Sequence, residues 1–380
     1  MESAHHCITH LYYIARMTKE LWEQYCRDEI AFVTPLLLRH GITLGDTQPH
    51  ISGERFLMHA VTTTSGKKLI LLGTTEDGSP VVIKATRDAR GKAEILHERA
   101  CRAILKKIDF AAEVFLSPKE VLFTEEAGAT VAVYEFITQE RTFLERPIEV
   151  QFDFALRAFK AQEGTHATTW GHRRLIREAF EIRTAQTYLD IFATFTANIR
   201  KELPEDTHIH ETLTRAQNLL TQESRIIEQY ADFLTHTDFV PHNIRIRDNE
   251  MYLLDHSSLT FGNKYEGWAR FLNFMTLYNP PLTKALTEYV RQNRTQEESV
   301  SLRMMRTYRL GELIWYYTRT LKETEGNLYT LNRARVTFWH DVLCSVVKDE
   351  EVPLSIIETY TQVRDALRSD DEKRRQKGLH

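Results

Sequence analysis

The chain has 380 residues, 42% of them hydrophobic and 27% charged, with 49 basic against 53 acidic side chains and a formal net charge of −4. That balance belongs to an ordinary globular protein long enough for two domains or one two-lobed unit, and it excludes a strong overall field that would draw in nucleic acid or an anionic membrane. The cysteines, Cys7, Cys26, Cys101 and Cys344, include no C-x-x-C pair, which argues against a zinc site or a disulfide framework and for a reducing compartment.

The opening MESAHHCITH lacks a basic stretch followed by an apolar run, so no signal peptide is expected. The greasiest short run, Lys68 to Gly73, is far too short to span a bilayer, and a cytoplasmic protein is expected. Residues 1–51 read as an N-terminal helical extension: Ile8 to His40 carries apolar residues at helical spacing and Gly41 stops it. Residues 52–137 read as a sheet lobe. Strands are expected over Arg55–Thr63, Lys68–Thr74, Val81–Ala85, Glu120–Thr124 and Thr130–Ile137, separated by Ser65-Gly66, Glu76-Asp77-Gly78 and Glu125-Glu126-Ala127-Gly128. One helix, Gly91 to Ile108, interrupts them with Ile95, Ala100, Ile104 and Ile108 on one side.

Residues 138–368 read as a helical lobe, with amphipathic segments at 153–162, 173–201, 211–233, 267–277, 282–291, 301–322, 331–347 and 355–367. A β-like island breaks them, Ile244–Arg247 and Met251–Leu254 around the hairpin signal Asp248-Asn249. Residues 369–380 form a charged tail. A small antiparallel sheet lobe with one helix, followed by a larger helical lobe, is an α+β plan.

The sharpest chemical signal is His236-Thr237-Asp238-Phe239-Val240-Pro241-His242-Asn243, directly before the expected hairpin, with Asp255 at the end of the hairpin's second strand. Phosphoryl transfer needs an acidic residue to orient the attacking hydroxyl, oxygen ligands for Mg²⁺ and a cation for the remaining phosphate charge. Asp238, Asn243 and Asp255 supply the first two, because a carboxylate and an amide carbonyl are the hard oxygens Mg²⁺ prefers. Taken singly, such residues are commonplace. An Asp before a strand usually shapes a turn, and a Lys facing a helix Glu is usually a solvated ion pair. Their order and spacing set them apart.

H-x-D-x-x-x-x-N, then a hairpin and an Asp, resembles the catalytic loop and metal-binding Asp of the kinase superfamily. The wording is similar to the H-G-D-x-x-x-x-N of the aminoglycoside phosphotransferase and choline kinase group of small-molecule kinases. The resemblance implies a protein-kinase-like fold, ATP and Mg²⁺ as cofactors, and a small-molecule hydroxyl as acceptor. It implies Asp238 as the catalytic residue and Asn243 and Asp255 as metal ligands. Lys84, in Val81-Val82-Ile83-Lys84, matches the strand lysine that contacts phosphates, and Glu98 its helix partner, with Glu94 one turn earlier the weaker match. Tyr134-Glu135-Phe136-Ile137 resembles the linker whose backbone pairs with the adenine edge, which gives Glu135, Phe136 and Ile137 as nucleotide contacts.

Two alternatives stay open: a nucleotide-binding pseudokinase or scaffold, and a protein kinase. Val240 where protein kinases place Lys, Asp255-His256-Ser257 and the lack of Ala-Pro-Glu speak against the second. The phosphate-covering turn Thr62 to Lys68 has one glycine, Gly66. The stretch Glu163 to His172 reads as a loop rather than a metal site, and Trp315-Tyr316-Tyr317 as helix core rather than an aromatic cage. Which hydroxyl compound is the acceptor does not follow from the sequence, because one fold hosts many.

Overall fold

The computed structural model describes residues 24–46, 48, 68–108, 115–166, 170–368 and 373. The strand expected over Arg55–Thr63 lies outside the described residues, as do most of the phosphate-covering turn and most of the charged tail. Packing divides the chain into two compact units, Met1–Ala100 with Ser117–Thr138, and Cys101–Leu116 with Gln139–His380.

The first unit holds helix α1 (24–39), β1 (Ile42–Leu44), β2 (Leu69–Thr75), β3 (Pro80–Thr86), helix α2 (Ala89–Leu105, whose last turn belongs to the second unit), β4 (Glu120–Glu126) and β5 (Ala129–Glu135). The strands form one antiparallel sheet in the order β1-β2-β3-β5-β4. Its edge strand β1, paired Ile42 to Thr75, was not anticipated from the sequence, because three residues after a helix stop are too few to show a period.

Side chains alternate between the faces of a strand. Val81, Ile83 and Ala85 of β3 and Val131 and Val133 of β5 therefore point together, into a core completed by Val33, Leu36 and Leu37 of α1. Ala132 and Tyr134 point the other way, against Ile95 of α2. Covered on both faces, β5 is buried from Ala129 to Tyr134, and so reads in sequence as a continuous apolar run. The same alternation turns Lys84 towards α2.

The second unit is mostly helical: α3 (Ile148–Glu163), α4 (Trp170–Ala179), α5 (Ala185–Glu202), α6 (Thr207–Gln222), α7 (Ser224–Gln229), α8 (Tyr265–Tyr278), α9 (Pro280–Asn293), α10 (Gln296–Thr320), α11 (Gly326–Lys348) and α12 (Leu354–Leu367). The expected continuous helix 173–201 is broken, because Glu181–Ile182 (β6) pairs in parallel with Leu259–Gly262 (β10). The expected helix 211–233 likewise ends early, and Phe233–His236 (β7) pairs antiparallel with β10. The hairpin of β8 (Ile244–Arg247) and β9 (Glu250–Leu253) forms where expected.

Helix α8 runs through the middle of this unit, with Trp268, Ala269, Phe271, Leu272 and Met275 all buried. Phe159 of α3 stacks on Trp268 at 4.2 Å between ring centres and meets Phe271 edge-on at 5.6 Å. Helix α10 crosses α5 closely at Gly311, where an added Cβ would collide with the ring of the fully buried Phe192.

Gly311→Ala should therefore lower the thermal midpoint. Overpacking costs about 1–3 kcal/mol, against roughly 0.5–1 kcal/mol that alanine gains in a helix interior. An unchanged or higher midpoint in calorimetry would show that α5 gives way freely.

Candidate functional site

The loop from His236 to Asn243 leaves β7 and is pinned along its length. Phe239 and Val240 are fully buried, which fixes the backbone directly after the turn that carries Asp238. Thr237 donates its N–H and its hydroxyl to the Ser258 carbonyl, at 2.8 and 3.0 Å. His236 is buried, with Nε2 3.1 and 3.0 Å from the carbonyl oxygens of Leu254 and Asp255. Carbonyls only accept, so Nε2 carries the proton. The histidine thus ties the start of the loop to the residue that ends the hairpin.

The hairpin brings Asp255 back beside the loop. Asp248 and Asn249 at its tip both have positive φ, 49° and 67°, as a two-residue turn matching the strand twist requires. Arg157 grips Asn249 through Oδ1 at 3.0 Å and the carbonyl at 2.7 Å. At the other end, Leu254 donates its N–H to the Asn243 carbonyl at 2.8 Å, which places Asp255 one residue from that pairing. Asp255 has φ 53° and ψ 58°, a left-handed conformation uncommon outside glycine. Its carboxylate accepts from Ser257 at 2.6 Å and Ser258 at 2.8 Å.

Asp238 is held by charge. Arg270 of α8 reaches its Oδ1 through Nη2 at 2.9 Å and Nε at 3.1 Å. Asn243 donates Nδ2 to its Oδ2 at 3.0 Å and to its carbonyl at 2.8 Å. Burial alone would raise this carboxyl, but Arg270 outweighs it and holds the group below the usual carboxylate range. The side chain still keeps 36% of its surface exposed, so the carboxylate has an open edge. His242 lies 3.9 Å from Oδ2. Burial pushes its imidazole down to about 4, so it is uncharged at neutral pH and attracts Asp238 only in acid.

One turn before Arg270, the fully buried Glu266 accepts from Arg183 at 2.8 Å, Tyr188 at 2.7 Å and Arg309 at 3.4 Å. Arg309 also pairs with Glu312 at 2.8 Å. Burial, reinforced by Glu266, pushes the Tyr188 hydroxyl up, so it stays a donor. This network anchors the helix that presents Arg270.

In the first unit, Lys84 forms an ion pair with Glu98, whose side chain is only 3% exposed. Lys68 pairs with Glu94 at 2.7 Å, which explains why Glu94 is not the partner of Lys84. Arg99 clamps Glu120 at 2.7 and 2.9 Å and lies over the Phe123 ring. The N–H of Glu135 donates to Lys119 and that of Phe136 to Pro80, at 2.8 and 3.1 Å. Those two amides are therefore engaged within the unit.

The structure thus brings Asp238 and Asn243 into direct contact with Asp255 close by, and Lys84 together with Glu98. Arg270 was not found from the sequence. Its signal was there, as the one charge between Gly267 and Tyr278, but no motif spacing pointed to it.

No family model matches the chain, and no curated protein does. Solved structures do. They include a thermostable mutant of aminoglycoside phosphotransferase APH(4)-Ia in ternary complex with ADP and hygromycin B, at TM-score 0.51 and 13% identity over 82% of this chain and 96% of that one. Macrolide 2'-phosphotransferase MphH from Brachybacterium faecium matches at TM-score 0.52 and 14% identity, over 81% and 98%. A mutant of aminoglycoside 2'-phosphotransferase-IIIa in its GDP complex matches at TM-score 0.55 and 11% identity, over 84% and 98%. The chain therefore has the α+β, protein-kinase-like fold of these small-molecule phosphotransferases. At such identity the likeness speaks for the fold alone.

Two outcomes follow from the electrostatics. A carboxyl depressed in the folded state stabilises above its ordinary value of 3.8, and that contribution fades as pH falls below about 5. Arg270→Gln should shrink this acid-side loss in melting curves taken from pH 6 to about 3; an unaltered pH profile would deny that Arg270 sets the charge. Glu266→Gln removes the buried anion shared by Arg183 and Arg309, which keep Glu181 and Glu312 as partners, and should destabilise by about 1–3 kcal/mol in urea unfolding. A change below about 1 kcal/mol would show the arginines satisfied without it.

Proposed function

We propose that the chain is an ATP-dependent O-phosphotransferase that acts, with Mg²⁺, on a hydroxyl of a small molecule. The observation that carries this reading is the loop in which Asp238 and Asn243 touch, followed by a hairpin that returns Asp255 beside Asn243. The phosphotransferase fold and the nucleotide complexes of proteins sharing it support the reading.

The residues fit a magnesium ion. Both amide hydrogens of Asn243 are directed at Asp238, which turns its carbonyl oxygen away as a ligand. Asp255 adds a carboxylate steadied by two serine hydroxyls. Mg²⁺ held by Asn243 and Asp255 would neutralise charge on the nucleotide phosphates. Asp238 would receive the acceptor hydroxyl on its open edge, orient it and take its proton. Lys84, fixed by Glu98, would supply the second positive charge. The carbonyls of the 135–137 segment, rather than the engaged amides of Glu135 and Phe136, would meet the adenine edge.

Pairing with Arg270 makes Asp238 a weak base, and this favours the second reading, a nucleotide-binding scaffold. Phosphoryl transfer through a loose transition state demands little early proton abstraction, however, and an orienting carboxylate suffices.

The test is Mg²⁺-dependent ADP release across aminoglycosides, macrolides, choline, ethanolamine, sugars and nucleosides. One class should stimulate it, and EDTA should abolish it. Asp238→Asn should lower kcat by about 10²–10⁴, the usual weight of a general base, while the ATP-induced thermal shift persists. Near-normal turnover in that variant would remove Asp238 from its role. Silence across the panel with a retained ATP shift would favour the scaffold.

A further inference from the structure

A second candidate site lies in the helical unit and shares no lining residue with the Asp238 loop. A cavity of about 680 Å³ opens among α9, α10, the end of α11 and the start of α12. Its volume falls in the range of about 300–1,000 Å³ usual for small-ligand pockets. Its walls are largely apolar, with Val290, Val300, Leu354 and Ile357 among them, and Arg303 and Arg306 set into them.

Arg306 is the unusual element. Its Nε donates to Asn273 Oδ1 at 3.0 Å and its Nη2 to Thr276 Oγ1 at 3.3 Å, both neutral acceptors. Among the described residues it forms no ion pair. Burial, with the neighbouring Arg291 adding to it and Asp349 partly opposing it, pushes this guanidinium down to about 10. Arg303 beside it donates to the backbone carbonyls of Val346 and Val347, again not to a carboxylate.

The acidic groups of the cavity are engaged or hydrated. Asp349 pairs with Arg291 at 3.2 Å and Glu351 with Lys284 at 3.0 Å. Glu288 and Glu350 are solvent-exposed. A half-buried guanidinium whose hydrogen-bond acceptors are all neutral, and which Asp349 offsets only through space, leaves positive charge that an anion entering the cavity would pair with directly. Asn273 and Thr276 of α8 bond Arg306, whereas Arg270 bonds Asp238 and Phe274 meets the His242 ring.

We propose that this cavity binds a small organic anion with an apolar body and a single carboxylate head, the head paired with Arg306 and the body against the valine, leucine and isoleucine walls. The site is separate from the one that carries Asp238, and its existence does not depend on what the chain phosphorylates.

Isothermal titration of the full chain with octanoate and 1-octanol, below the micellar range, tests it. Octanoate should bind at least tenfold more tightly than 1-octanol. Arg306→Met should remove that preference, and Val300→Trp, which narrows the cavity and leaves Arg306 in place, should abolish binding of both. Asp238→Asn should change neither. Equal affinity for octanoate and octanol, full octanoate binding in Arg306→Met or in Val300→Trp, no octanoate binding to the unaltered chain, or loss confined to Asp238→Asn would each overturn the proposal.

Discussion

The ion pair between Asp238 and Arg270 is the constraint on which the site depends. The loop that carries Asp238 is sunk into the core by Phe239 and Val240. Burial there pushes a carboxyl up, towards its neutral form. Arg270 keeps it ionised, and Arg270 must itself come from a helix that cannot drift. Glu266, one turn away, is bound by Arg183, Arg309 and Tyr188, so the helix is tied to α5 and α10 by charge as well as by packing. Arg183 and Arg309 hold Glu181 and Glu312 as second partners, so the helix is tied at several points rather than one.

The sheet unit solves a similar problem by alternation. Because β3 puts Ile83 and Ala85 into one core, Lys84 has to emerge on the face covered by α2, where it pairs directly with Glu98. Lys68 with Glu94 and Arg99 with Glu120 add further ties between that helix and the sheet. Exposed ion pairs contribute little singly. Here the partly buried Lys84 pair and the two-pronged Arg99 pair fix where α2 lies on the sheet, and thereby hold the lysine side chain in one place.

Much of this was legible in the sequence, and the reasons are local. Val81-Val82-Ile83-Lys84 and the long helical repeats have enough residues to declare a period, and Asp248-Asn249 announces a turn whose φ values few other pairs adopt. The spacing from Asp238 to Asn243 and the return at Asp255 rest on one loop and one hairpin, so chain order alone brings them together. What could not be read depends on distant partners. Strands β6, β7 and β10 are two to four residues long and exist because Thr260 meets both Glu181 and Thr235. Edge strand β1 exists because β2 is there to receive it. Arg270 looked like one polar position on a core helix, since nothing in the local pattern says that a loop carboxylate lies opposite.

The depressed carboxyl of Asp238 also bears on the chemistry such a site can do. A strong base would need a raised carboxyl in an apolar pocket. This one is lowered by a guanidinium and bound by an amide, with one edge exposed. Such a group gains little by capturing a proton early, but it can hold a hydroxyl at a fixed distance and angle. Orientation of that kind suits a transfer in which the phosphoryl group has largely left its donor before the new bond forms, because the proton then leaves the hydroxyl late. The same arrangement gives Arg270 and the buried Glu266 of α8 one joint effect: they hold an ionised, aligned carboxylate at Asp238 that would need no rearrangement to receive a hydroxyl.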